Sequence, residues 1–251
     1  MKKFLKNYAE ITKYYNKKPK RKLRFFAKTL VVFGFIFLLI LIFAPLFNLQ
    51  IFNFEKENLS AEYYIIYTTC EHENQEEVIK EAEKLQLRGG AGNITTNNDK
   101  TIIVLTLCNN LEKTQKIMQN LTNQNVDAKW YAQQIKINTK NLNQTQKQIV
   151  KTWFEAQQKI IDQLLDFVDM FENKRITQTE LETEVFGLYS EVNAIVLNTQ
   201  KDVDEKIKIY YQKAINFQSY LFLLSQNNFK NNIPYSSVLR YFTFKLIGLL
   251  C

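Results

Sequence analysis

Apolar and polar positions change period along this chain, and the changes divide it. Leu30 to Phe47 (LVVFGFIFLLILIFAPLF) is an uncharged run of eighteen residues, long enough as a helix to cross most of a hydrocarbon core of about 30 Å. It predicts a transmembrane helix over 29–48. A cleaved signal peptide would have a shorter apolar stretch and a small-x-small site, whereas this run ends in bulky Leu46 and Phe47, so an uncleaved anchor is expected. A mixed polar and aromatic connector, 49–61, follows.

From residue 62 the period shifts between two and 3.6. Tyr63 to Thr69 is aromatic and β-branched and predicts a strand; Glu73 to Leu87 sets Val78, Ile79, Ala82 and Leu85 on one helical stripe, with Asn74 and Glu77 placed to cap it. Arg88-Gly89-Gly90-Ala91-Gly92 breaks that helix, Asn93 to Thr96 predicts a short strand, and Asn97-Asn98-Asp99-Lys100 predicts a turn into a strand over Thr101 to Leu107. A second helix over Leu111 to Asn123 and a last strand over Ala128 to Ile137 complete the order β-α-β-β-α-β. With right-handed crossovers this folds as a ferredoxin-like unit over 62–138, both helices on one face and the first and third strands side by side.

Residues 139–251 read as helix throughout. Ile149, Trp153, Ile160 and Leu164 open a series of stripes continued by Leu181, Val185 and Leu188, then by Ala214, Phe217 and Leu221. An amphipathic C-terminal helix carries Val238, Leu239, Phe242 and Leu246, interrupted by Arg240 and Lys245. It is too short and too charged to span a bilayer, which leaves burial in a bundle or a position flat on a membrane surface. The expected fold class is therefore α+β: a transmembrane helix, a ferredoxin-like domain, then an all-α helical region.

Charge changes the picture once it is divided. The net +8 resides in residues 1–28, which hold eleven Lys or Arg against Glu10 alone, so the remainder sums to about −2. This removes the general electrostatic argument for a nucleic-acid partner, and none is expected. Such a basic segment before a span stays cytoplasmic. The expectation is a single-pass protein of the cell membrane with a basic cytoplasmic tail, 1–28, and extracytoplasmic C-terminal domains.

The residues that carry chemistry are few. His72 is the only histidine, so no histidine cluster or Ser/His/Asp set can form. Gly89 to Gly92 follows a helix and lacks the Lys-Ser or Lys-Thr of a phosphate loop, and reads as a helix C-cap and turn. The acid pairs Asp162/Asp166 and Glu180/Glu184 read as solvated helix faces. No catalytic residue, metal ligand or cofactor site is expected, and the protein is expected not to be an enzyme. Cys70, Cys108 and Cys251 have no CxxC spacing. Free thiols are therefore expected; Cys70 and Cys108 end two strands expected to be neighbours and parallel, so a disulfide between them is the alternative.

The unit over 62–138 resembles a SPOR domain, a peptidoglycan-binding module of bacterial division and sporulation proteins. The resemblance rests on element order and lengths, on Tyr63-Tyr64-Ile65-Ile66-Tyr67-Thr68-Thr69-Cys70 as the opening strand, on LQLRGGAGNI from Leu85 to Ile94, and on Thr101 to Cys108 echoing the first strand. It implies binding of denuded glycan strands at septal or spore peptidoglycan on the sheet face that the helices leave open. Ile65 and Tyr67 would point to the helices. Tyr64, Ile66 and Thr68, with Ile102, Val104 and Thr106, would line the open face. Trp130, Tyr131 and Tyr64 are the rings suited to stack on a sugar. Ile66, Ile102 and Val104 stand where the family has polar residues, and runs apolar on both faces imply a sheet covered on both. The helical region or a second copy of the chain, as a homodimer, would supply that cover. Two readings follow: a glycan reader at the cell envelope, or a scaffold for divisome or sporulation membrane proteins whose sheet packs on protein.

Overall fold

The computed structural model describes residues 58–72, 74–226 and 232–250. The basic tail 1–28, the span 29–48, the first part of the connector, 49–57, and Cys251 lie outside the described residues. The expectation of single-pass membrane anchoring is corrected: no helix among the described residues is long and apolar enough to cross a membrane.

Strand β1 (Asn58–Thr69) is followed by helix α1 (Gln75–Leu87), strands β2 (Ile94–Asn97) and β3 (Lys100–Cys108), helix α2 (Leu111–Asn123) and strand β4 (Lys129–Asn138). Local chemistry sets the boundaries. Asn74 caps α1 by accepting from the Glu76 amide at 2.9 Å, and Asn110 caps α2 by accepting from the Lys113 amide at 2.8 Å. The β2–β3 turn holds Asn98 and Asp99 at φ +48° and +60°, the left-handed pair that a two-residue hairpin requires and that Asn and Asp tolerate.

The sheet runs β2-β3-β1-β4 with every neighbouring pair antiparallel. The expected parallel pairing of the first and third strands is thus corrected. The crossover through α1 leaves β1 and β2 in the same direction, and the hairpin then lays β3 between them reversed. Cys108 consequently faces Tyr64, whereas the Cys70 amide donates to Thr101 at the opposite end of β3. Both thiols are free, and a bridge between them is geometrically excluded.

Both faces of the sheet are covered. Ile66, Leu105 and Cys108 pack with Leu85 of α1 and with Ile117, Met118 and Leu121 of α2. The opposite face, with Tyr63, Ile65, Val104, Leu107 and Ile137, joins the main hydrophobic core. This reverses the expected facing: Ile66 points to the short helices and Ile65 away from them. Val104 and Leu107 share a face despite their spacing because the register slips at Ile66/Tyr67, leaving Leu105 as the extra residue of a bulge.

The cover on the second face is the helical region: α3 (Gln144–Glu172), α4 (Gln178–Thr199), a 3₁₀ turn (Gln200–Asp202), α5 (Lys208–Ser225) and α6 (Tyr235–Ile247). Helices α3 and α4 each begin with a reciprocal cap, Asn143 with Gln146 and Thr177 with Glu180. Val238, Leu239, Phe242, Leu246 and Ile247 of α6 are buried in this bundle, so the C-terminal helix lies within the chain's own core. Sheet and bundle form one compact unit, Lys56–Cys251. The fold-class expectation is corrected accordingly: the structure is a mixed, mostly helical fold around one antiparallel sheet, with no membrane-crossing helix among its described residues.

Candidate functional site

On the sheet face that α1 and α2 cover, the neighbouring strands β1 and β4 carry a partly exposed shelf, with Glu62, Trp130, Ala132 and Gln134 exposed and Tyr64 half-buried. The register places Glu62 opposite Gln134, Tyr64 opposite Ala132 and Ile66 opposite Trp130. Alternation puts all six side chains on one face. Ile66 is fully buried and forms the inner wall, whereas Trp130 is 40% exposed. The Tyr64 and Trp130 rings meet edge to face, with centroids 5.7 Å apart. Ala132 is too small to fill the space beside Tyr64.

A polar group adjoins the rings. The Tyr64 hydroxyl donates to Glu62 Oε2 at 2.6 Å, and Gln134 Nε2 donates to Glu62 Oε1 at 2.9 Å. The Tyr64 hydroxyl, then the Gln134 amide, hold the Glu62 carboxyl below its usual range, because each bond favours the ionised acceptor. The same bond raises the Tyr64 phenol. The result is an exposed, fixed carboxylate beside a half-buried Tyr64 ring and an exposed Trp130 ring that meet edge to face. Flat rings complement the C–H faces of a pyranose, and carboxylate and amide accept and donate to its hydroxyls.

The structure divides the residues predicted for glycan binding. Tyr64, Ile66 and Trp130 come together on the shelf. Tyr131 lies on the other face, its ring 5.7 Å from that of Tyr67 and packed on the main core. Val104 is fully buried there. Thr106 accepts a hydrogen bond from Arg240 Nε at 3.0 Å. Thr68 is half-buried opposite Ile103, beyond the shelf. Glu62 and Gln134 were missed. The signal was present: Glu62 is two residues before Tyr64, and Gln134 four after Trp130, so both share their faces.

The remaining sequence candidates fall elsewhere. His72 is exposed with Nδ1 3.1 Å from Glu77 Oε2. Asp162 is half-buried on α3 and accepts from Asn109, while Asp166 is exposed. No group of three His, Cys, Asp or Glu among the described residues could hold a metal ion. Gly92 sits at φ +70° in the turn after α1. That turn is a docking point for α6: Arg240 Nη1 donates to Gly89 O at 2.6 Å, and Ser237 Oγ donates to Gln86 O at 2.7 Å.

Compared with protein families, with curated proteins and with solved structures, the chain matches none.

Proposed function

We propose that this protein binds a glycan chain on the Tyr64–Trp130 shelf, in a non-catalytic role at bacterial peptidoglycan. The observation that carries the reading is the pairing of two half-open aromatic rings with the Glu62 carboxylate that Tyr64 and Gln134 hold in place. The SPOR-like order of elements supports peptidoglycan as the glycan, and a place in division or sporulation goes with it. The binding surface is narrower than a whole sheet face and sits at the β1–β4 side. Sugar C–H groups stack on the rings, and hydroxyls exchange hydrogen bonds with Glu62 and Gln134.

A protein-interaction scaffold is the second reading, and two observations favour it. The second sheet face is sealed by the chain's own bundle. In addition, Phe186, Tyr189 and Phe222 form a ring cluster between α4 and α5, with Phe186 52% exposed. Retention of the full chain on purified sacculi, before and after amidase removes stem peptides, separates the two. Amidase-enhanced retention that Trp130→Ala abolishes supports the glycan reader. Equal, weak retention in every sample sinks it and leaves the scaffold.

A further inference from the structure

The sheet has two edges, and they are unlike. Strand β2 is four residues long and ends in a tight turn, so it offers little to a partner. Strand β4 is ten residues long, contains neither Pro nor Gly, and has β1 as its only strand neighbour among the described residues. Alternate residues of an edge strand direct their N–H and C=O groups outward, ready to pair with another extended chain. Natural edges are usually blunted by shortness, Pro, bulges or charge. Here only Lys129 and Lys136 could serve, and Lys136 has a different use.

We infer that β4 pairs antiparallel with β4 of a second copy about a two-fold axis at Gln133, joining two sheets into one of eight strands. The strand is self-complementary in that register. Gln133 meets Gln133, Tyr131 meets Ile135, Ala132 meets Gln134 and Trp130 meets Lys136 of the second copy. No like charges are opposed. An aromatic–aliphatic pair and a lysine beside a tryptophan ring occur twice each, the kinds of cross-strand pair that stabilise a sheet. The isologous geometry closes at two copies and leaves no further edge of this length exposed. This match of the strand to itself is why the occupant is a second copy.

This inference extends the glycan reading and rests on it in one respect only. Residues with an even spacing stay on one face across the junction, so the two Tyr64–Trp130 shelves become one continuous surface. A glycan strand longer than a few sugars would then contact both. Dimerisation itself needs no glycan, so the two ideas fail separately.

The test is the protein mass of the full chain without glycan, by size-exclusion chromatography with light scattering over a dilution series. A mild detergent prevents the apolar run 30–47 from driving association. Twice the monomer mass is expected. Gln133→Lys, which sets two ammonium groups against each other on the axis and leaves the shelf untouched, should return the monomer mass with an unchanged far-UV spectrum. Gln133→Cys, with Cys70→Ser and Cys251→Ser, should give a dimer on a denaturing gel that dithiothreitol splits. A monomer at every wild-type concentration overturns the inference. So does a folded Gln133→Lys variant that remains dimeric.

Discussion

Arg240 on α6 and Glu172 at the end of α3 meet fork to fork, Nη1 to Oε1 and Nη2 to Oε2, both at 2.7 Å. The same guanidinium donates to Thr106 of β3 and to the Gly89 carbonyl. One side chain thus ties the last helix, the longest helix, the central sheet and the glycine turn. The Arg240 side chain is 12% exposed and that of Glu172 42%, so solvent screens part of the pair. Arg240→Ala should destabilise the protein by about 2 kcal/mol, less than a fully buried pair would lose. Arg240→Lys should recover less than half of that, because an ammonium cannot reproduce the planar fork. Urea unfolding at constant m-value measures both, and a lysine variant as stable as wild type would show that the fork is not what holds α6.

Two glycines should respond in opposite directions to alanine. A Cβ on Gly92 would clash with Gln86 Cγ and lie 2.9 Å from the Ala82 carbonyl oxygen, at φ +70°. Gly92→Ala should cost about 2 kcal/mol or more from strain and clash. A Cβ on Gly187, in the exposed middle of α4, meets nothing within 4 Å. Gly187→Ala should stabilise by about 0.5–1 kcal/mol through helix propensity alone. Thermal midpoints of the two variants check this.

On the shelf, Trp130→Ala and Tyr64→Ala should each lower glycan retention by about tenfold, the worth of one stacking contact. Tyr64→Phe keeps the ring, loses the bond to Glu62 and should lose less. The pH dependence follows from Glu62. Its carboxyl is held below the usual 4.5, so the anion and its bonds persist above that pH and are lost as pH falls through the lowered value. Retention should be flat at neutral and mildly acidic pH and should drop only below 4.5. A decline that begins near pH ~6.5, the ordinary histidine value, would point away from Glu62.

Asp162 has the opposite sign. Burial chiefly, opposed by the Asn109 bond and aided by Asp166, raises its carboxyl above the usual 3.8. The folded state holds this proton more tightly than the unfolded state does, so ionised Asp162 costs stability at neutral pH and the cost vanishes as pH falls below 3.8. Asp162→Asn should therefore stabilise at neutral pH, by less than about 1 kcal/mol given the solvent around a half-buried group. Its amide oxygen can still accept from Asn109. Melting temperatures of wild type and variant at neutral pH and below 3.8 test the sign, and a less stable variant at neutral pH would mean that the charged hydrogen bond outweighs burial.

Much of this architecture can be read locally. Period and caps along the chain determine α1 and α2 nearly to the residue, because Asn74 and Asn110 act on amides two and three positions away. The positive-φ pair Asn98-Asp99 determines the hairpin in the same way. Alternation likewise determines which side chains share a face, so Tyr64 and Trp130 were legible as ring candidates. The long apolar run before residue 58 is equally plain in the sequence and lies outside the described residues.

Tertiary structure decided what no local rule contains. A period of two does not say which face a helix will cover, so the facing of Ile65 and Ile66 came out reversed. It also carries no strand direction: the antiparallel order separates Cys70 from Cys108 and sets Glu62 beside Gln134, 72 residues apart in sequence. The burial of α6 is a third case, because its two charges, Arg240 and Lys245, interrupt the apolar stripe and by themselves suggest an exposed face. Lys245 lies 5.6 Å from the Tyr241 ring centroid, and Arg240 finds its acceptors on Thr106, Gly89 and Glu172. Those acceptors come from three separate stretches of chain, and only folding brings them within reach of one side chain. A largely buried charge is tolerated where its partners converge, and convergence is a property of the assembled core.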